Sequence, residues 1–241
     1  MPYPRILARA EKARRFPVRT AFETVARTAV YDRPCRSSTP PSRVRGFGGG
    51  DEAVTTVDGL WYLADEAEQR AAQAYHRTVD TYGEGQLERT YRKHVSRGRF
   101  RTLAERIQRS GAPYGAHTLV YRPSGEVLLV RHEGVDLWVL PGGGVDGAES
   151  FRETAERELQ EEAGVDAVYD GLAMLNRVEI TCGGHRTWGV LPVFCARAET
   201  TDTSIADPDD EISAARWFDP PSVPEDTRDR EDLIDAARAV A

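Results

Sequence analysis

Two different hydrophobic periods divide the chain near residue 111. Before that point apolar residues recur every three or four positions, which is the spacing of one face of an α-helix. The positions that follow this spacing are Leu60, Ala64, Ala67, Ala71, Tyr75, Val79, Leu87, Tyr91, Val95, Leu103 and Ile107. The segment TYGEGQ (81–86) and Gly98 interrupt the pattern. The helical spacing on both sides of these interruptions therefore predicts a helical hairpin over residues 54–111.

After residue 111 the spacing changes to that of β-strands. The segments AHTLVYR and EVLLVRH flank a Pro-Ser-Gly turn and predict a hairpin. Further strand candidates are DLWVLPGG, AMLNRVEIT, TWGVLPVFCA and AARWFD, and REDLIDAARAV predicts a last helix. A central helix is predicted from about Ser150 to Ala163, with Gly164 at its C-cap. This order indicates an α/β/α layered domain with a mixed sheet over residues 112–241.

Residues 1–53 differ from the rest in charge. The first 50 residues hold 11 Lys and Arg against three acidic residues, so they carry +8 in a chain of net −7, and the remainder carries −15. Three interpretations stay open: a basic disordered arm that contacts nucleic acid or an acidic surface, a transit peptide, or upstream sequence translated from a mis-assigned start. The abrupt change of composition near AVTTVDGLWYL favours the mis-assigned start.

The remainder of the chain is acidic and poor in lysine, since only Lys12 and Lys93 among 32 basic residues are lysine. Such a surface indicates a halophilic protein; a GC-rich genome that favours arginine codons is the alternative. Cys35, Cys182 and Cys195 form no CxxC pair, which favours a reducing compartment over a disulfide framework. No apolar run approaches the roughly 18–20 residues of a membrane span. We therefore expect a soluble, cytoplasmic protein.

The second half of the predicted hairpin is rich in arginine. Its basic residues are Arg89, Arg92, Lys93, Arg97, Arg99, Arg101, Arg106 and Arg109. A solvated helix is the simpler interpretation, because no aromatic stacking platform accompanies these residues. A helix that binds nucleic acid is the alternative.

Glycines followed by clustered acids mark residues 141–165, PGGGVDGAESFRETAERELQEEAGV. Residues three and four apart share a helix face, so Glu158, Glu161 and Glu162 project together and repel one another. Converging carboxylates suit Mg²⁺ or Mn²⁺, and a cation removes the repulsion. The glycines let backbone carbonyls approach closely. This combination suits phosphate chemistry, in which a cation neutralises a pyrophosphate and positions a water.

The same segment resembles the Nudix box, G-x5-E-x7-R-E-U-x-E-E-x-G-U, where U is aliphatic. The nine defined positions are filled by Gly143, Glu149, Arg157, Glu158, Leu159, Glu161, Glu162, Gly164 and Val165, without insertion. The resemblance covers 23 residues directly. The strand and helix order of residues 112–241 also fits a Nudix-type α/β/α sandwich, whereas residues 1–110 lie outside the resemblance.

The resemblance implies a metal-dependent hydrolase that cleaves a phosphoanhydride bond in a nucleoside diphosphate linked to another moiety. Its metal ligands would be Glu158, Glu161 and Glu162, with the carbonyl of Gly142 as a backbone ligand, and its cofactor Mg²⁺ or Mn²⁺. Glu158 and Glu161 would also be catalytic residues. Arg157 would orient the glutamates, with Glu149 as its ion-pair partner.

Two residues outside the box complete the expected site. Family enzymes often use an acidic residue from a later loop as ligand or base, and DPDDEISAARW offers Glu211 as the first choice and Asp210 as the second. Arg131 ends the EVLLVRH strand, where it would bind a phosphate of the substrate. The alternatives are loop solvation for Glu211 and a surface position for Arg131.

The substrate itself is left open by the sequence. Some Nudix subgroups carry a proline or a tyrosine downstream of the box, and VEITCGGHRT contains neither. A nucleoside triphosphate, a damaged one, or a nucleotide sugar therefore stay as candidates. The alternative function is a non-catalytic Nudix module that binds a nucleotide as a regulator. The expected partners are a nucleotide and, as one option, a second copy in a homodimer, but neither a membrane nor nucleic acid.

Overall fold

The computed structural model describes residues 59–84 and 86–240. The interpretations of residues 1–53 lie outside this range. The helices are α1 (Gly59–Tyr82), α2 (Arg97–Ser110), α3 (Phe151–Ala163) and α4 (Arg230–Val240). The strands are β1 (Thr90–His94), β2 (Ala116–Tyr121), β3 (Val127–His132), β4 (Leu137–Val139), β5 (Gly142–Gly143), β6 (Ala167–Cys182), β7 (His185–Ala198) and β8 (Ile212–Phe218).

The eight strands form one mixed sheet. Its order is β1-β6-β7-β2-β3-β4, with β5 paired to β2 and β8 paired to β3. The pairs β1–β6 and β2–β7 are parallel, and the remaining pairs are antiparallel. The predicted hairpin of β2 and β3 is confirmed, with Tyr121 opposite Val127.

Helices α3 and α4 pack on opposite faces of this sheet. Leu159 and Ala163 of α3 join Val120 and Leu128 in one buried cluster. Leu233 of α4 belongs to a separate buried cluster that also contains Leu119 and Leu129. Because neighbouring strand residues point to opposite faces, the two clusters mark the two sides of the sheet. The predicted α/β/α layers are confirmed.

The predicted N-terminal helices are present as α1 and α2, and both contribute to one buried cluster with β6 and β7. Leu60 of α1, Phe100 and Ile107 of α2, and Ile180 of β6 are all fully buried there. The two helices therefore share a core with the sheet. The division of the chain at residue 111 stays a prediction.

The helical prediction for residues 87–95 is wrong, because β1 lies between α1 and α2. Its backbone pairs in parallel with β6, with Thr90 opposite Arg177. The Tyr91 hydroxyl donates to Asp232 of α4 at 3.1 Å. These tertiary contacts override a short pattern whose spacing also fits a helix.

A search of the described residues for membrane spans finds no helix with the length and hydrophobicity to cross a bilayer.

Candidate active site

Helix α3 is defined at both ends by local sequence. The Ser150 hydroxyl accepts from the Glu153 N–H at 3.2 Å, and the Glu153 carboxylate accepts from the Ser150 N–H at 2.7 Å, which is a complete capping box. Gly164 ends the helix with φ 61°, a left-handed conformation that glycine adopts without strain. The predicted helix and its C-cap are confirmed.

Arg157 is the centre of the charged network on α3. Its Nε donates to Glu149 at 2.9 Å, and its Nη1 donates to Glu158 and Glu161, both at 2.9 Å. A further hydrogen bond runs from Nη2 to the Gly144 carbonyl at 3.0 Å. The Arg157 hydrogen bond is the main cause that lowers the pKa of Glu149. The predicted pairing of Arg157 with Glu149 is observed.

Glu162 is the most enclosed acid of the cluster, with only 8% of its surface exposed. Its carboxylate accepts from the Gly142 N–H at 2.8 Å. Burial raises its pKa to about 8 despite that hydrogen bond. Burial also raises the pKa of Glu158, and Arg157 opposes the shift. The cluster is therefore partly removed from water, unlike the solvated face of an ordinary acidic helix.

The two glycines of β5 allow close packing, Gly142 against β2 and Gly143 against α3. Gly142 has φ 147°, and a Cβ there would lie 2.5 Å from the His117 Cα atom. A Cβ on Gly143 would lie 2.5 Å from Glu158 Oε1. The Glu158 carboxylate thus lies against bare backbone. In contrast, a Cβ on Gly144 would meet nothing within 4 Å.

The carboxylate cluster has the chemistry of a divalent-cation site. Glu158, Glu161 and Glu162 supply hard oxygen donors from one helical turn, and a cation would offset the cost of burying Glu162. Within residues 59–84 and 86–240, no three His, Cys, Asp or Glu side chains are arranged as a ready-made metal site. Glu158 and Glu161 instead bind Arg157. Their roles as ligands stay a prediction.

Among the loop acids, Asp207 lies within electrostatic reach of α3. Asp207 is one of the charges that raise the pKa of Glu162. Its carboxylate also accepts the N–H groups of Asp209, Glu211 and Ile212 at 3.0, 2.6 and 2.9 Å. Sequence reasoning missed Asp207, although Asp before Pro is a common signal for such a turn.

The side chain of Glu211 faces solvent with 59% exposure and lies 3.4 Å from His132 Nε2. Arg131 does not join the carboxylates of α3. It pairs with Asp136 and Asp226 and is only 19% exposed. Leu129, two residues earlier on β3, belongs to the cluster under α4, so Arg131 points to the α4 face.

The NUDIX domain profile matches residues 112–237, just over half of the chain. The chain therefore belongs to the Nudix family and is a Nudix hydrolase. Enzymes of this family generally use a divalent metal.

Two curated relatives are each 32% identical to the chain. One, from Bacillus subtilis strain 168 and provisionally named an 8-oxo-dGTP diphosphatase, aligns over 111 residues, 46% of this chain and 68% of its own. The other is the 8-oxo-dGDP phosphatase NUDT18 of Danio rerio, aligned over 148 residues, 57% of this chain and 43% of its own. Among solved structures, a MutT Nudix hydrolase from Burkholderia pseudomallei is 23% identical over 52% of this chain and 98% of its own, with a TM-score of 0.36.

Proposed function

We propose that the chain is a Mg²⁺- or Mn²⁺-dependent hydrolase that cleaves a phosphoanhydride bond in a nucleoside diphosphate linked to another moiety. The observation that carries the proposal is the carboxylate cluster of α3, held by Arg157 against the glycine strand β5. A cation bound there would neutralise the pyrophosphate and position the attacking water.

In this proposal Glu158, Glu161 and Glu162 hold the metal, and the Gly142 carbonyl adds a backbone ligand. Arg157 keeps Glu158 and Glu161 in place through the hydrogen bonds described above. Binding requires Glu162 to be ionised, although burial alone favours its protonated form.

Glu211 is the proposed general base, whose carboxylate accepts a proton from the attacking water. Asp207, the loop acid whose charge acts on Glu162, is engaged by three backbone N–H groups, whereas the Glu211 carboxylate faces solvent and is free to accept that proton. Arg131 can bind a phosphate of the substrate only if its ion pairs with Asp136 and Asp226 break.

Nucleotides with a purine base are the first substrates to test, because two relatives are named for activity on 8-oxo-dGTP or 8-oxo-dGDP. We place the reaction in the cytoplasm. The non-catalytic alternative has less support, because every glutamate of the box is present.

The test is a panel of nucleoside triphosphates, oxidised purine nucleotides and nucleotide sugars, incubated with full-length protein and Mg²⁺ or Mn²⁺. We expect phosphate or pyrophosphate release that EDTA abolishes and added metal restores. Absence of release from every substrate with either metal would refute the proposal. The same panel at low and high salt tests the halophilic interpretation, which predicts greater activity at high salt.

A further inference from the structure

Helix α3 contains a buried hydroxyl group that the proposed function does not use. Thr154 has no exposed surface, and its Oγ1 atom lies 3.1 Å from Glu149 Oε2 and 3.1 Å from the Ser150 carbonyl oxygen. Thr154 occupies one of the positions that the Nudix box leaves undefined, between Glu149 and Arg157. The motif therefore assigns no role to this hydroxyl group.

The Thr154 hydroxyl has a single proton, so it donates to one acceptor at a time. The Ser150 carbonyl already accepts the backbone N–H of Thr154 at 3.0 Å. Glu149 offers an ionised acceptor, because its hydrogen bond from Arg157 lowers the pKa of its carboxyl group. A hydrogen bond to an ionised group is roughly twice as strong as one between neutral groups. The Glu149 carboxylate is therefore the favoured acceptor.

Arg157 donates five hydrogen bonds, one for each N–H of its guanidinium group. Nε and Nη2 donate to the two oxygens of Glu149 at 2.9 and 3.1 Å. The remaining three bonds go to the Gly144 carbonyl, Glu158 and Glu161. Because the guanidinium group is planar, its paired bonds to Glu149 set the direction of the bonds to the other acids.

Only one oxygen of each of these other acids is held by Arg157. The bonds reach Glu158 Oε1 and Glu161 Oε2. Glu158 Oε2 and Glu161 Oε1 accept no hydrogen bond from any residue in the described part of the chain. A divalent cation can bind these two oxygens while the bonds to Arg157 stay intact. Arg157 thus sets the direction in which they point.

Glu149 is held in turn by two groups besides Arg157. Its Oε2 atom accepts from the Asp146 N–H at 3.2 Å and from the Thr154 hydroxyl at 3.1 Å. Asp146 belongs to an exposed loop, whereas Thr154 is fully buried within α3. The Thr154 hydroxyl is therefore the more rigid of the two supports.

We propose that Thr154 is a positioning residue for the divalent cation. Its hydroxyl group holds Glu149, Glu149 holds Arg157, and Arg157 directs the free oxygens of Glu158 and Glu161 toward the metal. The inference rests on the proposed function, because it concerns the metal of that reaction. Thr154 acts through Glu149 and is not itself a ligand.

The test measures Mn²⁺ binding to the full-length protein without substrate by electron paramagnetic resonance, and the Mg²⁺ concentration that gives half-maximal hydrolysis. Thr154→Val keeps the shape of the side chain but removes the hydroxyl group. It should weaken Mn²⁺ binding at least about tenfold, because a group that supports a metal ligand contributes about 10- to 100-fold. The Mg²⁺ requirement should rise by a similar factor. Thr154→Ser keeps the hydroxyl group and should bind Mn²⁺ like wild type.

Thr78→Val is the matched control. Thr78 is 5% exposed, and its hydroxyl donates to the carbonyl of Ala74, one turn earlier on α1, at 2.8 Å. Its loss removes a hydrogen bond of the same local kind without touching Glu149, so Mn²⁺ affinity should not change. In a second comparison, Thr154→Val and Glu149→Gln are combined, and their effects on Mn²⁺ affinity should not add. Thr154→Ala replaces Thr154→Val in both comparisons if valine perturbs the fold.

The inference would be overturned if removal of the Thr154 hydroxyl left Mn²⁺ affinity as unchanged as Thr78→Val does. Additive losses with Glu149→Gln, or a Thr154→Ser protein as weak as Thr154→Val, would identify a packing role and also overturn it. A wild type that binds Mn²⁺ in a Thr154-dependent manner but hydrolyses nothing would refute the proposed function alone. A wild type that binds no Mn²⁺ would overturn the metal assignment on which both depend.

Discussion

Helices α2 and α3 are both rich in charge, but they use it in opposite ways. On α2, the exposed residues Arg99, Arg101, Arg106 and Arg109 form no ion pair with any acid among residues 59–84 and 86–240. On α3, Arg157 is 26% exposed and binds three carboxylates. The comparison shows that the number of charges on a helix indicates little about function, whereas their convergence on one partly buried point indicates a site.

The largest expected difference between the helices is in activity. Glu162→Gln should reduce hydrolysis at least about a hundredfold, because loss of a metal ligand costs at least as much as loss of a group that supports one. The control is Glu156→Gln, an exposed position on α3 that pairs with Arg152. Kinetic assays and circular dichroism of both variants provide the measurement. A fully active Glu162→Gln protein would contradict the ligand assignment.

The next largest difference is in stability. Arg157→Ala should lower the free energy of unfolding by about 2 kcal/mol, because it leaves partly buried carboxylates without their cation. Arg106→Ala on α2 should change it by less than about 0.5 kcal/mol, since that side chain is exposed and unpaired. Urea denaturation of the two variants measures both values. Equal losses would show that Arg157 is not the centre of a coupled network.

The N-caps offer a finer comparison. Ser150→Ala should cost about 1 kcal/mol, because it removes the capping box of α3. Ser96→Ala should cost roughly half as much, because Ser96 accepts from the Arg99 N–H at 3.3 Å without a returning glutamate. Thermal denaturation of the two single variants gives the measurement. A larger loss for Ser96→Ala would contradict this order.

The smallest expected effect is a pH dependence of the free energy of unfolding that arises from the ion pair of Glu149 with Arg157. The pKa of Glu149 is lowered from its ordinary 4.5, chiefly by Arg157. Its ionised form therefore stabilises the fold fully above pH 4.5, and this contribution is lost as the pH falls through the lowered pKa.

The stability difference between wild type and Glu149→Gln, expected below about 1 kcal/mol, should accordingly be constant near neutrality and shrink in acid. Denaturation of both proteins between pH 7 and pH 3 would measure it. A difference that grows on acidification would contradict the assigned direction of the shift.

The features that the sequence predicted correctly depend on local spacing. The start of α3 near Ser150, its stop at Gly164 and the pairing of Arg157 with Glu149 all lie within one short segment. Strand β1 was not predictable in this way, because it is a strand only through pairing with β6, where Thr90 lies opposite Arg177. No local pattern contains that partner.

The loop that approaches α3 was also only partly predictable. We predicted an acidic residue there and ranked Glu211 first, but the loop acid whose charge raises the pKa of Glu162 is Asp207. The four acids of DPDDE (207–211) are equivalent by composition. Backbone geometry, which gives Asp210 a positive φ of 55° and turns the chain around Asp207, distinguishes them.

The three consecutive glycines before α3, Gly142, Gly143 and Gly144, differ in the substitutions they should tolerate. At position 142 any side chain would begin within 2.4 Å of the Ala116 carbonyl, a backbone atom that cannot move aside cheaply, so the protein itself should fail to fold. At position 143 the obstacle is the flexible end of Glu158, so alanine should give a folded protein with a displaced carboxylate. Position 144 is open and should accept most residues. In a saturation library of these three positions, we expect substitutions to abolish expression at 142, to reduce catalysis at 143 and to have little effect at 144.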